Sequence, residues 1–494
     1  MNKPENLQFT NRWYQQLGFS YQKVVASPLI NSRLVAVSKE AAALLDMTTD
    51  DIQADEFFGW LSGQLTPKQG HHIAQVYAGH QFGQFVPQLG DGRSIGIGEV
   101  KNSAGQHIEL QLKGAGPTPY SRMGDGRAVL RSCIREFLAS EAMAALDIPT
   151  TRALAIVDSD QAVYRETRET GAVMTRMAES HLRFGHFEYF FHHGKKDELN
   201  QLADFALACY FPECLQAKTP HLAMLTEITV NTAKLIAKWQ AVGFAHGVMN
   251  TDNMSVLGLT LDYGPYGFLD DYQPGFICNH SDHHGRYAFN QQPSIGLWNL
   301  NALAYTFSTW LSPEQIRQAL ACYEPVLVEH YNQLMTAKLG LTSWQQEDTE
   351  LLSRYLGLMT QTQADYTLSF RHLNQVLTTD SDIPEPLHNV FNQSAGVDVQ
   401  DQLSQWLKTY RKRLNNQALS AQERLTQQNA SNPIYILRNY LAQNAIEAAQ
   451  QGDYQPLNEL HQVLAKPFNA DDNYQRYGQP APDWGKHLEI SCSS

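Results

Sequence analysis

The stretch HGVMNTDNMSVLGLTLDYG (246–264) holds Asn253 and Asp262, an amide oxygen and a carboxylate. Hard cations such as Mg2+ or Mn2+ take such oxygens together with phosphate oxygens and water. Asp252, beside Asn253, offers a second carboxylate that could accept a proton from a hydroxyl. Upstream, QLGDGRSIGIGEV (88–100) spaces Gly90, Gly92 and Gly96 so that bare backbone N–H groups can approach an anion. Lys113 ends the stretch IELQLK and could place a cation on phosphate, with Glu136 further on as its carboxylate partner. Arg176 and Arg183, in RMAESHLRFG, are suited to bidentate phosphate contacts, and their spacing puts them on one face if that stretch is helical. Together these residue types describe a metal-assisted nucleotide site.

The elements that must position them follow from periodicity. IELQLK (108–113) alternates apolar and polar residues, as a half-buried strand does. Leu130, Ile134, Phe137 and Leu138 form one apolar stripe of a helix, with Glu136 beside the stripe. LAIVDSDQAVYRE (154–166) and GAVMTRM (171–177) read as a strand pair around an Asp-Ser-Asp turn. KEAAALLDM (39–47) reads as a short helix. From about residue 185 the pattern is helical: 222–242 runs into the 246–264 loop, and 296–335, 344–378 and 403–414 follow. The polar stretch 380–399 reads as a connector. In NPIYILRNYLAQNAIEAAQQG (432–452), Asn432 is expected as N-cap, Pro433 as the first helical residue and Gly452 as the stop.

Taken singly, these stretches also fit a glycine hairpin, an edge-strand lysine, a surface glutamate and surface ion pairs. Their order matches a protein kinase: Gly-rich loop, strand Lys, helix Glu, His-led loop with Asn, then Asp-Tyr-Gly. One departure stands out. Val248 occupies the place, two residues after His246, where a kinase carries its catalytic Asp. The expected fold is α+β and bilobal, protein-kinase-like, with a small sheet-containing lobe and a large helical lobe. The expected units are an N-terminal extension (1–75), the N-lobe (76–180), the helical C-lobe (181–395) and a C-terminal helical extension with a Cys-containing tail (396–494).

The 494 residues are 43% hydrophobic and 18% charged, enough for a sizeable core, and the net charge is −13. That charge argues against a nucleic-acid partner, whose phosphates need excess Lys and Arg. No apolar run reaches the roughly 18 residues of a spanning helix, and the N-terminus lacks the pattern of a signal peptide. The six cysteines lack zinc-site spacing, and so does the His-rich NHSDHHGRY (279–287). A cytoplasmic protein with mostly reduced thiols and no membrane partner is expected.

The stretches YAGHQFGQFVPQLGDGRSIGIGE (77–99), LQLKGAGPTPYSRMGDGRAVLRSCIREFLASEAM (110–143), RMAESHLRFGHFE (176–188), the 246–272 loop and NPIYILRNYLAQ (432–443) resemble the selenoprotein-O family of protein adenylyltransferases. The resemblance implies ATP bound flipped relative to protein kinases, with Mg2+ or Mn2+. AMP is then transferred to Ser, Thr or Tyr hydroxyls of proteins, and pyrophosphate leaves. Position by position it implies nucleotide contacts for Gly90, Gly92, Arg93, Lys113 (supported by Glu136), Asp125, Gly126, Arg176, Arg183 and Asp262. It implies metal ligation by Asn253 and Asp262, and proton acceptance by Asp252. The tail ISCSS resembles a terminus where some members carry selenocysteine, with Cys492 at that position. A redox-sensitive disulfide between Cys492 and Cys278 is expected on that basis. Ordinary phosphoryl transfer with Asp252 as a displaced base, and a non-catalytic nucleotide-binding pseudokinase, are the competing readings.

Overall fold

The computed structural model describes residues 6–379, 381–391, 397–486 and 488. Its strands, in chain order, are β1 (Gln8–Phe9), β2 (Tyr21–Lys23), β3 (Arg33–Val37), β4 (Ile73–Gln75), β5 (Gly79–Gln81), β6 (Gln84–Val86), β7 (Ser94–Lys101), β8 (His107–Lys113), β9 (Ala128–Val129), β10 (Arg152–Tyr164), β11 (Arg168–Ala178), β12 (Phe244–Ala245) and β13 (Gly267–Phe268). Nine of them form one antiparallel sheet in the order β2-β4-β7-β8-β11-β10-β3, with β1 beside β7 and β9 beside β11. The α+β class is as expected. Strands from the first 75 residues are part of this sheet, so that segment is continuous with it.

Alternation assigns the two faces of the sheet. Leu110 and Leu112 of β8 and Val173 of β11 pack with Ile52, Phe57 and Trp60 from the helices near the N-terminus. Met174 and Ile156 turn the other way, onto Ile134, Phe137 and Leu138 of helix Leu130–Ala145. Gln111 and Lys113 share this second face by period two, and Arg176 lies opposite Gln111 across the β8–β11 ladder. The strand lysine and the first arginine therefore both point at the helix that carries Glu136.

That helix is buried on nearly every side, because Leu441, Ile446, Leu457 and Leu464 of the C-terminal helices Asn439–Gln450 and Gln455–Leu464 join the same core. A second core gathers Tyr355, Trp406 and Tyr410 around helices Gln346–Thr362 and Val397–Asn415. Among the described residues no helix is long and apolar enough to cross a membrane.

Three local expectations are corrected. Asp158, Ser159 and Asp160 lie within β10, and the chain reverses at residues 165–167. A register shift between Asp158 and Ala162 absorbs the polar residues, while Arg33 of the neighbouring strand neutralises Asp158 at 2.8 Å. The expected helix at 432 begins at Asn439, with Arg438 as N-cap. Residues before it stay outside the helical ladder, since the N–H groups of Ile434 and Tyr435 both donate to the Pro467 carbonyl. The connector 380–399 contains a helix, Glu385–Phe391, whose Leu387, Val390 and Phe391 are buried.

Candidate active site

A cavity of about 770 Å3 opens between the sheet and the 246–265 loop. Its lining includes seven basic side chains (Arg93, Lys113, Arg122, Arg127, Arg165, Arg176 and Arg183) against four acidic ones (Asp91, Asp125, Asp252 and Asp262). In a chain of net charge −13 this local excess of cations marks a site for a polyanion.

The Gly-rich loop runs from β6 into β7. Gly90 has φ +142, and a side chain there would meet the Tyr120 ring at 2.5 Å and the Gln75 carbonyl at 2.7 Å. Asp91, inside the GDG motif, pins the loop: its carboxylate accepts the Gln75 N–H at 2.9 Å, and burial pushes its pKa up to about 6. Arg93 projects from the same loop and makes no ion pair among the described residues; burial, then Arg176, hold its guanidinium below its ordinary value. In the second GDGR, Gly126 sits at φ +67, where a methyl group would lie 2.1 Å from the Gly116 carbonyl oxygen. Asp125 receives both terminal nitrogens of Arg165 at 2.9 Å, which ties this loop to the β10–β11 turn.

Lys113, Glu136, Arg176, Asp262 and Arg183 form one chain of alternating charge. Glu136, fully buried, accepts Lys113 Nζ on one oxygen and Arg176 Nε on the other, the latter at 2.5 Å. Arg176 Nη2 reaches Asp262 at 2.5 Å, and Arg183 Nη1 donates to the other Asp262 oxygen. Burial alone would raise the carboxyls of Glu136 and Asp262; the arginines, with Lys113, hold both below their ordinary values. Burial in turn lowers Lys113, opposed by Glu136.

Arg176 and Arg183 do not share a helix face, contrary to the helical reading of their stretch. Arg176 belongs to β11, and Arg183 lies in the connection before helix Phe184–His192. The connection is fixed because Phe184 N–H donates to the Met254 carbonyl and Val256 N–H to the Leu182 carbonyl. Arg183 then donates at 2.7 Å to the Asp252 carbonyl and lies over the Tyr77 ring. Two arginines distant in secondary structure thus meet on one carboxylate.

The catalytic-loop candidates are held by short contacts. His246 bridges the loop's two arms: Nε2 bonds the Leu261 carbonyl at 2.8 Å and Nδ1 receives Val248 N–H at 3.3 Å. Asn253 spends its Nδ2 on the Val248 carbonyl at 3.1 Å, which leaves its oxygen as the group available to a ligand. Asp262 adopts φ +57, rare for a residue with a side chain. Asn253 and Asp262 line the cavity together, an all-oxygen donor set that fits Mg2+ or Mn2+ beside phosphate. Asp252 is buried, and burial pushes its carboxyl up to about 7. One of its oxygens accepts Gln81 Nε2 at 3.2 Å; the other, Oδ1, is buried against Gly79 and has no hydrogen-bond partner among the described residues.

All eleven of the nucleotide, metal and proton-acceptor candidates line this cavity, with Glu136 directly behind Lys113 and Arg176. The residues missed from sequence are Asp91, Tyr77, Gln81, Arg127 and Arg165. The aspartate inside G-D-G carried a signal; the others act through contacts that no spacing reveals. Cys278 is buried and its thiol bonds the Ala245 carbonyl at 3.5 Å, while Cys492 lies outside the described residues. In the 279–287 segment Asn279 and Asp282 are structural, bonding the Gly247 carbonyl and the N–H groups of Arg286 and Tyr287.

A family model described as protein adenylyltransferase SelO matches residues 3–465. A protein nucleotidyltransferase YdiU of Ectopseudomonas mendocina is 49% identical over 495 residues, covering 100% of both chains. The namesake of Pseudomonas fluorescens (strain SBW25) is 48% identical over 501 residues, again covering 100% of both. That of Pseudoalteromonas atlantica is 50% identical over 464 residues, 94% of this chain and 95% of its own. With identity near one half along the full length of such relatives, the chain belongs to the SelO protein adenylyltransferase family.

Proposed function

We propose that this protein transfers AMP from ATP to Ser, Thr or Tyr hydroxyls of other proteins, with ATP lying flipped relative to a protein kinase on a bilobal, kinase-like scaffold. The observation that carries the reading is the cluster of buried Arg176 and Arg183 on Asp262, with Arg93, which has no ion pair among the described residues, nearby. Guanidinium groups at that depth are poor partners for an adenine ring and strong ones for terminal phosphates. In the sequence they stand between the sheet region (76–180) and the helical region (181–395), where a kinase has its adenine pocket.

Binding comes first. Arg176, Arg183 and Arg93 take the terminal phosphates, while Lys113, aimed by Glu136, takes a charge nearer the reacting phosphorus. Asn253 and Asp262 would hold Mg2+ or Mn2+, which supplies charge neutralisation at the phosphates when bound. The acceptor oxygen then bonds to the α-phosphorus as the bond from that phosphorus to the pyrophosphate oxygen breaks. The hydroxyl proton passes to the Asp252 carboxylate, which lines the cavity. A carboxyl near neutrality suits that step, worth about 10²–10⁴-fold in rate. Val248 in the kinase base position is consistent with an acceptor placed at the α- rather than the γ-phosphorus.

The test is label position. Protein acceptor, Mg2+ and ATP labelled at either the α- or the γ-phosphate are incubated with the enzyme. Protein-bound label from α-labelled ATP alone, lost in Asp262→Ala, is the expected result. Label arriving only from the γ-position would overturn the reading in favour of phosphoryl transfer, and label from neither would favour a binding module.

A further inference from the structure

The β5–β6 hairpin lies directly on the 250–253 loop. His80 N–H donates to Thr251 Oγ1 at 2.7 Å, the Thr251 hydroxyl donates to Glu188, and His80 Nδ1 meets the same carboxylate at 2.5 Å. Phe82 N–H donates to Tyr287 Oη at 2.9 Å, and that hydroxyl donates to Asn250 Oδ1 at 2.6 Å. Approach is so close that a Cβ on Gly79 would fall 2.5 Å from Asp252 Oδ1. Of all the hairpin side chains, Gln81 is the one that bonds Asp252, on Oδ2, while Oδ1 is buried against Gly79.

The turn itself breaks a local rule. Phe82 and Gly83 both have positive φ, +50 and +80, as the central pair of a type I′ turn does. That first position favours Asn, Asp or Gly, and an aromatic residue there is strained. Phe82 is nevertheless present, 43% exposed, with its ring 5.2 Å from that of Tyr287. Beside it Arg286 packs under Gly83 and over Trp298, itself partly exposed. Strain of this kind, fixed by several hydrogen bonds next to a reacting group, is a mark of function.

We propose that this hairpin is the acceptor-side element of the site: Gln81 is a positioning residue that fixes the Asp252 carboxylate through Oδ2 for the incoming hydroxyl, and the Phe82 ring is the platform for the acceptor polypeptide beside that hydroxyl. The proposal rests on AMP transfer with Asp252 as proton acceptor. It identifies the partner by chemistry, as a protein segment with an apolar or aromatic side chain flanking the modified residue.

The experiment uses the full chain, Mg2+, α-labelled ATP and denatured soluble cell protein as the acceptor pool. Phe82→Gly relieves the positive φ, so it should melt no lower than wild type. It should keep the KM for ATP within about twofold and raise the apparent KM for acceptor about tenfold, with Phe82→Tyr restoring it. Gln81→Met keeps the shape without the donor; kcat should fall about tenfold while both KM values hold. An unchanged acceptor KM in Phe82→Gly, or an unchanged kcat in Gln81→Met, overturns the proposal. Asp252→Asn separates the two levels: wild-type transfer in that variant overturns the proton-acceptor reading beneath, whereas loss there with wild-type Phe82→Gly and Gln81→Met overturns the hairpin alone.

Discussion

Glu136→Gln removes one charge from the centre of the buried chain and leaves its shape. In the wild type Glu136 neutralises Lys113 and Arg176, all three nearly or fully buried. Arg176 keeps a second partner, Asp262 at 2.5 Å. Lys113 has no other carboxylate within ion-pair reach among the described residues, so the loss falls on it. Breaking a buried pair from one side costs about 3–5 kcal/mol. Gln still accepts a hydrogen bond, which favours the lower end, about 3 kcal/mol. At about 2 °C per kcal/mol for a chain of this size, Tm should drop by ~6 °C. Lys113 can limit the penalty by shedding its proton, since burial already lowers its pKa. A neutral amine cannot stabilise phosphate charge, so AMP transfer should slow about a hundredfold. The Glu136 carboxyl is held below its ordinary 4.5, so its contribution is present above that pH and fades as pH falls through the folded value. Thermal melts and initial rates with α-labelled ATP measure both effects. The double variant Lys113→Met with Glu136→Gln should regain much of the stability and none of the rate, because both charges are gone together. Should Glu136→Gln melt with wild type and transfer within threefold of it, the reasoning fails.

Arg93→Ala should weaken ATP binding by about tenfold or more with little change in Tm, since Arg93 has no ion-pair partner among the described residues to strand; titration calorimetry and a melt check both halves. Gly126→Ala forces a methyl into the Gly116 carbonyl at positive φ and should destabilise by about 1–3 kcal/mol while raising the KM for ATP, read by urea unfolding and steady-state rates. Lys338 is buried against Phe370, and burial lowers its pKa from 10.5 to about 7. The unfolded chain binds the extra proton between those values, so stability should rise with pH across that window by up to ~1.4 kcal/mol per unit. Lys338→Met should be more stable than wild type at pH 7 and flatten this slope; a slope equal to wild type in urea midpoints from pH 7 to 9 counts against the assignment.

The chemistry of this protein was legible in short stretches of chain. Glycine pairs, an alternating strand ending in Lys113, an amphipathic helix around Glu136 and a loop bearing Asn253 and Asp262 are local patterns, and local backbone preference and hydrophobic period determine them. What failed were inferences in which neighbours in sequence stood in for neighbours in space. Asn432 and Pro433 carry a helix-start signal, yet the N–H groups of Ile434 and Tyr435 go to the Pro467 carbonyl and the helix starts only at Asn439. Arg176 and Arg183 look like one helix face, but a strand and a loop bring them to Asp262 through the 182–184 and 254–256 pairing. Glu136 could have been a surface residue; helices from beyond residue 438 cover its helix and make it the buried hub of three charges. Gln81 carried no signal at all, because its role arises where a hairpin lands on a loop 171 residues later. The sequence by itself determined which groups could bind a nucleotide and metal, since those depend on residue type and short-range backbone form. Tertiary packing alone decided which charges share a partner, which oxygen of Asp252 is buried and which hairpin covers it, because burial and long-range contact set those.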